Sequence, residues 1–540
     1  MSSIRNMAGR IKNYLAQNGM WGLLQRVGQK LNEGLRYRRW LQKHLPDEET
    51  LRRQTAEARA EGGSLSILVP CYQTPPQLLD ALVASVAAQS DPHWELCLYD
   101  GASQSQETRQ ALAKYAHGDP RIRVCFGTRN DRISGNTNHA LDMATGDYIA
   151  LLDHDDLLTP DAVFEVRKAI RETGAEILYS DEDLTNATGR RFFHPHMKPD
   201  FSPAHLNSCN YICHWLAMKR ELAVHIGGLD SHYDGSQDHE LVLRAIDACG
   251  QPPYHIPRVL YHWRMLSGSM SHQRLEQCTD ASVRAVSAHL ARQGIKAACE
   301  ADGNLVRVSY ALPEQADVSL LVLGREEQGA GFPDGVLAET LRPLPSEWNE
   351  NPYVMADAML RRAKGRFVLL MNPALRICDP NAVTELLMLA CQADVGAVGS
   401  RIQRSGGLTY EAGFAVGCGQ GVARRGAECN FWVERTAHEV AAVPLDWMLV
   451  ERDKALQAGG FAPRNACAAM EDVALCERLR AQGMRCVYTP HVRVRFAGVR
   501  PRPLSSPKQA SKQWLAECAR KTDPFYSSLF RRKRANYRVV

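Results

Sequence analysis

The stretch Gly146-Asp147-Tyr148-Ile149-Ala150-Leu151-Leu152-Asp153-His154-Asp155-Asp156 joins an apolar run to a cluster of carboxylates. The run Tyr148–Leu152 is short and does not alternate with polar residues, which is typical of a strand buried on both faces. The carboxylates of Asp153, Asp155 and Asp156 follow at its carboxyl end, where open α/β sheets bind their ligands. The stretch therefore predicts an α/β sheet with a charged site at one edge.

Strand and helix signals alternate in front of this stretch. The sequence predicts strands at 64–69, 94–99 and 122–126, and helices at 77–89, 106–116 and 136–144. This alternation is typical of βαβ units, so we expect a mostly parallel sheet that is covered by helices on both faces.

The chain repeats this pattern at long range. The segment Ala144–Leu152 resembles Ala363–Met371, and the helix after Asp238 has a counterpart after Asp472. Such self-similarity predicts two copies of one fold, joined near 300–316. We expect a basic helical arm at 1–63, a first α/β domain at 64–300, a second one at 301–503 and a basic tail at 504–540.

The composition is that of a globular protein. Of the 540 residues, 45% are hydrophobic and 23% are charged, and the net charge is +5. These values exclude a wholly disordered chain and do not indicate a nucleic-acid binder. No apolar run reaches the roughly 18 residues of a transmembrane helix, and the N-terminus lacks the core of a secretory signal. We therefore expect a cytoplasmic protein whose sixteen cysteines are reduced.

Basic residues concentrate at both ends of the chain. The first 45 residues carry nine Lys/Arg and one acid, Glu33, and a second cluster is Arg531-Arg532-Lys533-Arg534. Apolar residues within 1–60 recur at helical spacing, with Arg and Lys on the other faces. This pattern fits a helix that lies on an anionic membrane, but it also fits a solvated helix packed on the main domain.

Three carboxylates within four residues repel each other unless a positive charge neutralises them. A divalent cation with oxygen ligands, Mg²⁺ or Mn²⁺, would do so at Asp153, Asp155 and Asp156. The alternative is a turn that caps the helix predicted at 161–171. Because Thr159-Pro160-Asp161 already supplies such a cap, we favour the cation.

Two further side chains are candidates for the same site. Asp238 lies at the start of a helix that runs to Gly250, where the helix dipole favours a carboxylate, so simple capping is the alternative. His262 follows the strand predicted at 255–261 and is either a metal ligand or a structural residue. The residues by themselves leave both choices open.

Together these segments resemble the family 2 glycosyltransferases of the GT-A fold, from about 64 to 272. The matching motifs are Ser66–Tyr72, Trp94–Asp100, Gly146–Asp156, Tyr179–Asp183, Lys198–Pro203, Gly235–Asp238 and Ile256–Arg264. With its second related domain, the chain is similar to bacterial transferases of O-antigen, capsule or rhamnan assembly.

The resemblance implies a role for each candidate residue. Tyr72 would stack on the donor pyrimidine, and Asp153 would contact the ribose. Asp155 would hold the metal together with His262, and Asp238 would be the catalytic base. The implied donor-binding set further includes Pro70, Asp100 and Asn138, and Asp153 also counts among the metal ligands.

The sequence departs from the family pattern in two places. Where the family has two acids after the second strand, this chain has Asp100-Gly101, which leaves the choice between UDP and dTDP sugars open. In the second copy, the metal motif is replaced by Asn372-Pro373-Ala374-Leu375, which contains no acid. We therefore expect a catalytically inactive second domain that binds the acceptor or serves assembly.

The resemblance implies an inverting, metal-dependent transferase. It would move a sugar from a UDP- or dTDP-sugar to a hydroxyl of a growing bacterial surface glycan. A lipid-linked acceptor would place it peripherally on the cytoplasmic face of the inner membrane. One alternative is a non-catalytic glycan-binding or scaffold protein, against which Asp153, Asp155 and Asp238 argue. Another is a transferase that makes a lipid-linked monosaccharide, a group that usually carries transmembrane helices.

Overall fold

The computed structural model describes residues 34–59, 62–266, 275–314, 316–324, 337–404, 407–426, 435–461, 470–498 and 501–530, and positions 532, 533, 535 and 537. The sequence predictions for 1–33, Arg531 and Arg534 lie outside these residues. None of the helices in the described ranges combines the length and hydrophobicity that a bilayer crossing requires.

The first sheet contains nine of the described strands. They are β1 (Leu65–Cys71), β2 (Trp94–Asp100), β3 (Ile122–Phe126), β4 (Tyr148–Leu151), β5 (Leu157–Leu158), β6 (Ile177–Thr185), β7 (Phe192–His196), β8 (Leu216–Lys219) and β9 (Tyr254–Arg264). Their order is β3-β2-β1-β4-β8-β6-β9-β5, and β7 pairs with β6.

The helices of this half surround the sheet or precede it. They are α1 (34–44), α2 (Glu48–Ala58), α3 (Pro76–Ala87), α4 (Gln106–Ala116), α5 (Arg132–Met143), α6 (Ala162–Thr173), α7 (Pro203–Ser208), α8 (Arg220–His225), α9 (Gln237–Cys249) and α10 (Leu275–Arg292). A short hairpin of β10 (Ala297–Asp302) and β11 (Leu305–Tyr310) follows.

The predicted α/β fold class is confirmed, with one feature that periodicity did not show. Strands β3, β2, β1 and β4 are parallel, but β8 pairs antiparallel with both β4 and β6. Strand β8 is only four residues long, and its direction depends on where the preceding loop enters the sheet. Such information is not contained in a local hydrophobic pattern.

A second sheet repeats this arrangement. It contains β12 (Val318–Val322), β13 (Leu337–Leu341), β14 (Phe367–Met371), β15 (Leu375–Ile377), β16 (Val395–Gln403), β17 (Thr409–Glu411), β20 (His438–Glu439), β21 (Trp447–Glu451) and β22 (Arg485–Phe496); β18 (Phe414–Cys418) and β19 (Gly421–Arg424) form a separate hairpin. Its order is β13-β12-β14-β21-β16-β22-β15. This order corresponds strand for strand to β2-β1-β4-β8-β6-β9-β5.

The remaining described helices pack on the second sheet or follow it. They are α11 (Pro352–Arg362), α12 (Ala382–Ala390), α13 (Arg452–Gln457), α14 (Glu471–Ala481) and α15 (Lys512–Ala519).

The two sheets also share a hydrogen-bond pattern at their first strands. In each sheet a serine hydroxyl donates to a glutamate on the next strand and accepts from a glycine N–H. These residues are Ser66, Glu95 and Gly146 in the first sheet (2.6 and 2.9 Å), and Ser319, Glu339 and Gly365 in the second (2.7 and 2.8 Å). The expected duplication is therefore visible at the level of single contacts.

Most element boundaries agree with the sequence to within two residues. The helix expected at 136–144 instead begins at Arg132. The hydrophobic pattern did not reveal its first turn, because this turn is polar and contains Gly135. The strand expected at 255–261 runs on to Arg264, so His262 lies within it. Pairing of β9 with β6 sustains this extension, since His262 faces Asp183 in the register.

The two ends of the described chain meet on the first half of the molecule. Tyr37 and Leu41 of α1 are buried in one apolar cluster with Val259 of β9 and with Tyr526 and Tyr537. The described part of the predicted N-terminal arm is thus helical and packs on the protein. Membrane contact by the preceding residues stays a prediction.

Glu439 of β20 joins the two halves. Its carboxylate accepts hydrogen bonds from the Ser202 hydroxyl and from the N–H of Ala204, at 3.2 Å for the latter. It also accepts from Arg485 at 2.6 Å. Because Glu439 is 1% exposed, these bonds are shielded from water.

Candidate active site

The carboxyl ends of β1, β2 and β4 bring the predicted donor residues to one edge of the first sheet. Tyr72 directly follows β1, and its side chain is 43% exposed, which leaves it available for stacking. Asp100 ends β2 and lies opposite Cys71 in the register. The buried carboxylate of Asp100 accepts from the N–H of Ser103. Pro70 lies one residue earlier on β1, opposite Tyr99.

Asn138 and Gly101 show how tightly this edge is packed. The Asn138 amide accepts from the N–H of Leu229 and donates to its carbonyl, both at 2.8 Å. Asn138 therefore fixes the loop at Leu229, just before the 3₁₀ turn Ser231–Tyr233. At Gly101, a Cβ atom would clash with the Asn136 amide nitrogen, so an acid at this position would require the Asn136 side chain to move.

Asp156 of the acidic motif is a structural residue. It is fully buried, and its carboxylate accepts from the Tyr261 hydroxyl at 2.5 Å and from the backbone N–H of Arg264 at 2.6 Å. Burial and the carboxylates of Asp153 and Asp155 raise the pKa of Asp156 well above its ordinary value. Asp156 thus ties the motif to β9.

The carboxylates of Asp153 and Asp155 differ from that of Asp156. Among the described residues, neither one has a hydrogen bond or an ion pair. Burial raises the pKa of Asp153, and the charges of Asp155 and Asp238 add to this effect, although His214 opposes it. Clustered carboxylate oxygens without partners fit a divalent cation, which prefers such ligands.

His262 is the third predicted metal ligand. It faces Leu157 in the antiparallel register of β5 and β9. Its Nδ1 lies 2.6 Å from Asp183 Oδ1, so the ring atom that is left for another ligand is Nε2. A carboxylate behind the imidazole is the usual support of a histidine that binds metal. Asp153, Asp155 and His262 have the chemistry of cation ligands, but the structure does not bring ligand atoms of all three within 4.8 Å of one another. A cation shared by all three therefore stays a prediction.

Asp238 is in the first turn of α9 and is partly buried. The Asn210 amide donates to Asp238 Oδ2 at 2.8 Å, while Oδ1 has no hydrogen bond among the described residues. Its charge acts on Asp153, so the base candidate and the acidic motif belong to one site. Asn210 was missed in the sequence, where nothing distinguishes it from an ordinary loop residue.

His214 is a second residue that sequence reasoning missed. Its Nδ1 lies 2.9 Å from Glu182, and its ring stacks on Tyr261 with centroids 5.3 Å apart. Burial alone would lower its pKa, but Glu182, Asp153 and Asp156 raise it to about 9. The imidazolium is therefore a fixed positive charge behind the acidic motif.

The atoms of Glu182, Cys213 and His214 lie close enough together to hold a metal ion. However, Glu182 already binds His196 at 3.0 Å and Lys198 at 3.3 Å. Burial would raise the pKa of Glu182, but Lys198 and His214 hold it well below the ordinary value. This cluster is therefore a buried ion network in which the Glu182 carboxylate already has cationic partners.

The corresponding edge of the second sheet is filled by the chain itself. The Asp472 carboxylate accepts from Tyr353 at 3.0 Å, from Ser505 Oγ at 2.5 Å and from the N–H of Leu445 at 2.9 Å. Asn372, at the place of Asp153, donates to the buried Asp446 at 2.6 Å. Ser505 and its neighbours thus cover the region where a ligand of the second copy would lie.

The comparisons with known proteins agree with this geometry. The family model described as Glycosyl transferase family 2 matches residues 66–227. The uncharacterized protein y4gI of Sinorhizobium fredii (strain NBRC 101917 / NGR234) is 31% identical over 479 residues, which cover 79% of this chain and 52% of that protein. The O-antigen biosynthesis protein RfbC of Myxococcus xanthus is 29% identical over 548 residues, which cover 91% of this chain and 42% of that protein.

This chain therefore spans about half the length of these two curated relatives. Among solved structures, S. aureus TarS 1-349 in complex with UDP-GlcNAc aligns with 17% identity over 42% of this chain and 66% of that chain, with a TM-score of 0.35. The family match covers β1 to the end of α8, including the acidic motif. Residues 66–227 therefore match the glycosyl transferase family 2 domain.

Proposed function

We propose that the chain is an inverting glycosyltransferase of bacterial surface polysaccharide assembly. It would transfer a sugar from a nucleotide-diphosphate sugar to a hydroxyl of a growing glycan. The observation that supports this proposal is the charge interaction of Asp153 with both Asp155 and Asp238. The relative named as an O-antigen biosynthesis protein supports the class of product.

The donor would lie across the carboxyl ends of β1, β2 and β4. The exposed ring of Tyr72 would stack on the pyrimidine, and Asp100 and Pro70 border the same edge. Asp153 would contact the ribose. Because Gly101 stands where the family has a second acid, the base would be read without that acid, and both UDP and dTDP sugars are candidates.

Asp153, Asp155 and His262 would hold Mn²⁺ or Mg²⁺. When bound, such a cation supplies positive charge that stabilises the leaving diphosphate. The imidazolium of His214 lies behind the motif and lowers the pKa of Asp153. It thereby favours the ionised form that binding of a cation requires.

Asp238 would accept the proton of the acceptor hydroxyl as this oxygen attacks the anomeric carbon. Asn210 holds Oδ2 of Asp238, which leaves Oδ1 to receive the proton. A single displacement of this kind inverts the anomeric configuration. Glu240 is a poor substitute as base, since Arg244 holds its two oxygens at 2.7 and 2.5 Å.

The acceptor would be lipid-linked, and the basic residues of 1–45 would bring the protein to an anionic membrane. The region 301–503 would be non-catalytic and would bind the acceptor or serve assembly. The coverage of Asp472 by Ser505 and Tyr353 supports the loss of catalysis in this region. Unchanged binding to anionic liposomes after deletion of 1–45 would refute the membrane proposal.

A donor panel tests the activity. Purified protein is incubated with UDP- and dTDP-sugars, with and without Mn²⁺, and nucleotide release is measured. We expect cation-dependent release with one donor. Asp472→Asn serves as the matched control for Asp238→Asn. If no donor is bound or cleaved while the protein is folded, the non-catalytic scaffold alternative is favoured.

A further inference from the structure

Helix α1 contributes one side chain to the surroundings of His262. The Tyr37 hydroxyl donates to Asp183 Oδ2 at 2.6 Å, and Asp183 Oδ1 accepts from His262 Nδ1 at 2.6 Å. The two oxygens of one carboxylate therefore connect α1 to the imidazole. The residues are 146 and 79 positions apart in the chain, so only the fold brings them together.

This connection is shielded from water. Asp183 is fully buried, and Tyr37 is 4% exposed. A buried carboxylate oxygen that loses its donor is left unsatisfied, which is costly. The Tyr37 hydroxyl therefore restrains the rotation of Asp183. Asp183 in turn sets the orientation of the His262 ring, which also packs on Phe192 with centroids 4.2 Å apart.

The position of Tyr37 is itself fixed by packing. Tyr37 lies in an apolar cluster with Met197, Val259, Tyr526 and Phe530. Arg258, next to Val259 on β9, ion-pairs with Asp161 at 2.9 Å. Helix α1 thus rests on the strand that carries His262, and on side chains from the C-terminal part of the chain.

We propose that Tyr37 is a positioning residue of the active site, which acts through Asp183 on the orientation of His262 and thereby on cation binding. The proposal rests on the cation site of the proposed function. It gives α1 a role in catalysis that the basic character of the arm does not suggest. Displacement of α1 would then weaken the cation site without touching a ligand.

The test measures Mn²⁺ binding to the full chain without substrates, by the electron paramagnetic resonance signal of free Mn²⁺. Tyr37→Phe keeps the ring and removes the hydroxyl. We expect about three- to tenfold weaker Mn²⁺ binding, the effect of one net hydrogen bond. Asp183→Asn should weaken it by about 10- to 100-fold, as loss of a carboxylate behind a metal-binding histidine does.

Tyr115→Phe is the matched control, because it also removes a tyrosine–aspartate hydrogen bond. This bond, to Asp80, joins α4 to α3 and does not involve the strand of His262. It should bind Mn²⁺ like the wild type. At saturating Mn²⁺, the kcat of Tyr37→Phe should stay within about twofold of the wild type. Thermal unfolding of each variant identifies a loss of binding that comes from misfolding.

The outcomes separate the two proposals. If the wild type binds Mn²⁺ and Tyr37→Phe binds it equally well, the role of Tyr37 is refuted and the proposed function stands. An equal loss in Tyr115→Phe would also refute it. If the wild type binds no Mn²⁺, the cation site fails, and the role of Tyr37 fails with it.

Discussion

Asp238 and Asp472 occupy the same position in the first turn of corresponding helices, α9 and α14, but their carboxylates have opposite surroundings. Asp238 accepts one side-chain hydrogen bond, from Asn210. Asp472 is fully buried, accepts from Tyr353 and Ser505, and its pKa is raised by burial to about 6. The same residue type is thus available for chemistry in one half and part of the core in the other.

Replacement of the two aspartates should separate these roles. We expect Asp238→Asn to lower the transfer rate by about 10²–10⁴-fold, the usual contribution of a general base, with donor binding retained. Asp472→Asn should leave the rate unchanged and lower the free energy of unfolding by about 1–3 kcal/mol, since a buried network is disrupted. Nucleotide release and urea unfolding measure the two effects. Normal turnover by Asp238→Asn would refute its assignment as the base.

The acidic motif should respond to a cation in the absence of substrate. Mn²⁺ at about 100 times its dissociation constant should stabilise the fold by about 2.7 kcal/mol. Asp155→Ala should abolish this stabilisation without destabilising the metal-free protein, because one of the repelling carboxylates is removed. Asp156→Ala should instead destabilise the metal-free protein by about 1–3 kcal/mol, since Tyr261 and the Arg264 N–H lose their acceptor. Thermal unfolding of both variants with and without Mn²⁺ measures this difference. If Asp155→Ala and Asp156→Ala behave alike, the different roles of the two carboxylates are contradicted.

The contact between the halves should depend on Glu439. Glu439→Ala leaves Ser202 and the Ala204 N–H without their acceptor, while Arg485 keeps Asp394 at 2.6 Å. We expect a loss of about 2–4 kcal/mol, as for removal of a buried network member, together with faster proteolysis between the halves. Glu48→Ala, at an exposed ion pair, is the control and should change neither quantity. Unaltered proteolysis of Glu439→Ala would show that other contacts hold the halves.

Acid should weaken the same interface through two buried histidines. His205 and His438 have ring centroids 6.1 Å apart. Burial, with the nearby charge of Arg425, lowers the pKa of His205 to about 3 and that of His438 well below its ordinary value. Both imidazoles are therefore neutral in the folded chain. In the unfolded chain they bind protons near the value of model peptides, about pH 6.5. Their contribution to the free energy of unfolding is complete above this pH and is lost as the pH falls toward about 3.

Each imidazole should lower the unfolding free energy by up to about 1.4 kcal/mol per pH unit in this range. His205→Phe removes one of these imidazoles. Between about pH 6 and pH 4, the unfolding free energy of His205→Phe should therefore fall less steeply than that of the wild type. Urea unfolding at several pH values measures the slopes. His117→Phe, at an exposed position, should keep the wild-type slope. Equal slopes for His205→Phe and the wild type would contradict the assignment.

The order of strands and helices was predictable because it depends on local patterns. The strand at Tyr148–Leu151 and the carboxylates behind it were found in this way. The different roles of those carboxylates were not predictable, since Asp156 is distinguished by Tyr261, 105 positions away. Asn210 and His214 were missed for the same reason: their function comes from partners on other elements. The antiparallel direction of β8 is likewise a property of the chain path.

The packing of Tyr37 against Tyr526 and Tyr537 has a consequence for biosynthesis. In a growing chain, α1 leaves the ribosome before the strands of either sheet, and domains generally fold in the order of synthesis. The surface that encloses α1 is complete only after position 537 has been synthesised. The early strands of the first sheet can pair long before, but Tyr37 obtains its final environment only when Tyr537 is present. The nascent protein would thus acquire its sheet early and its full support for His262 late.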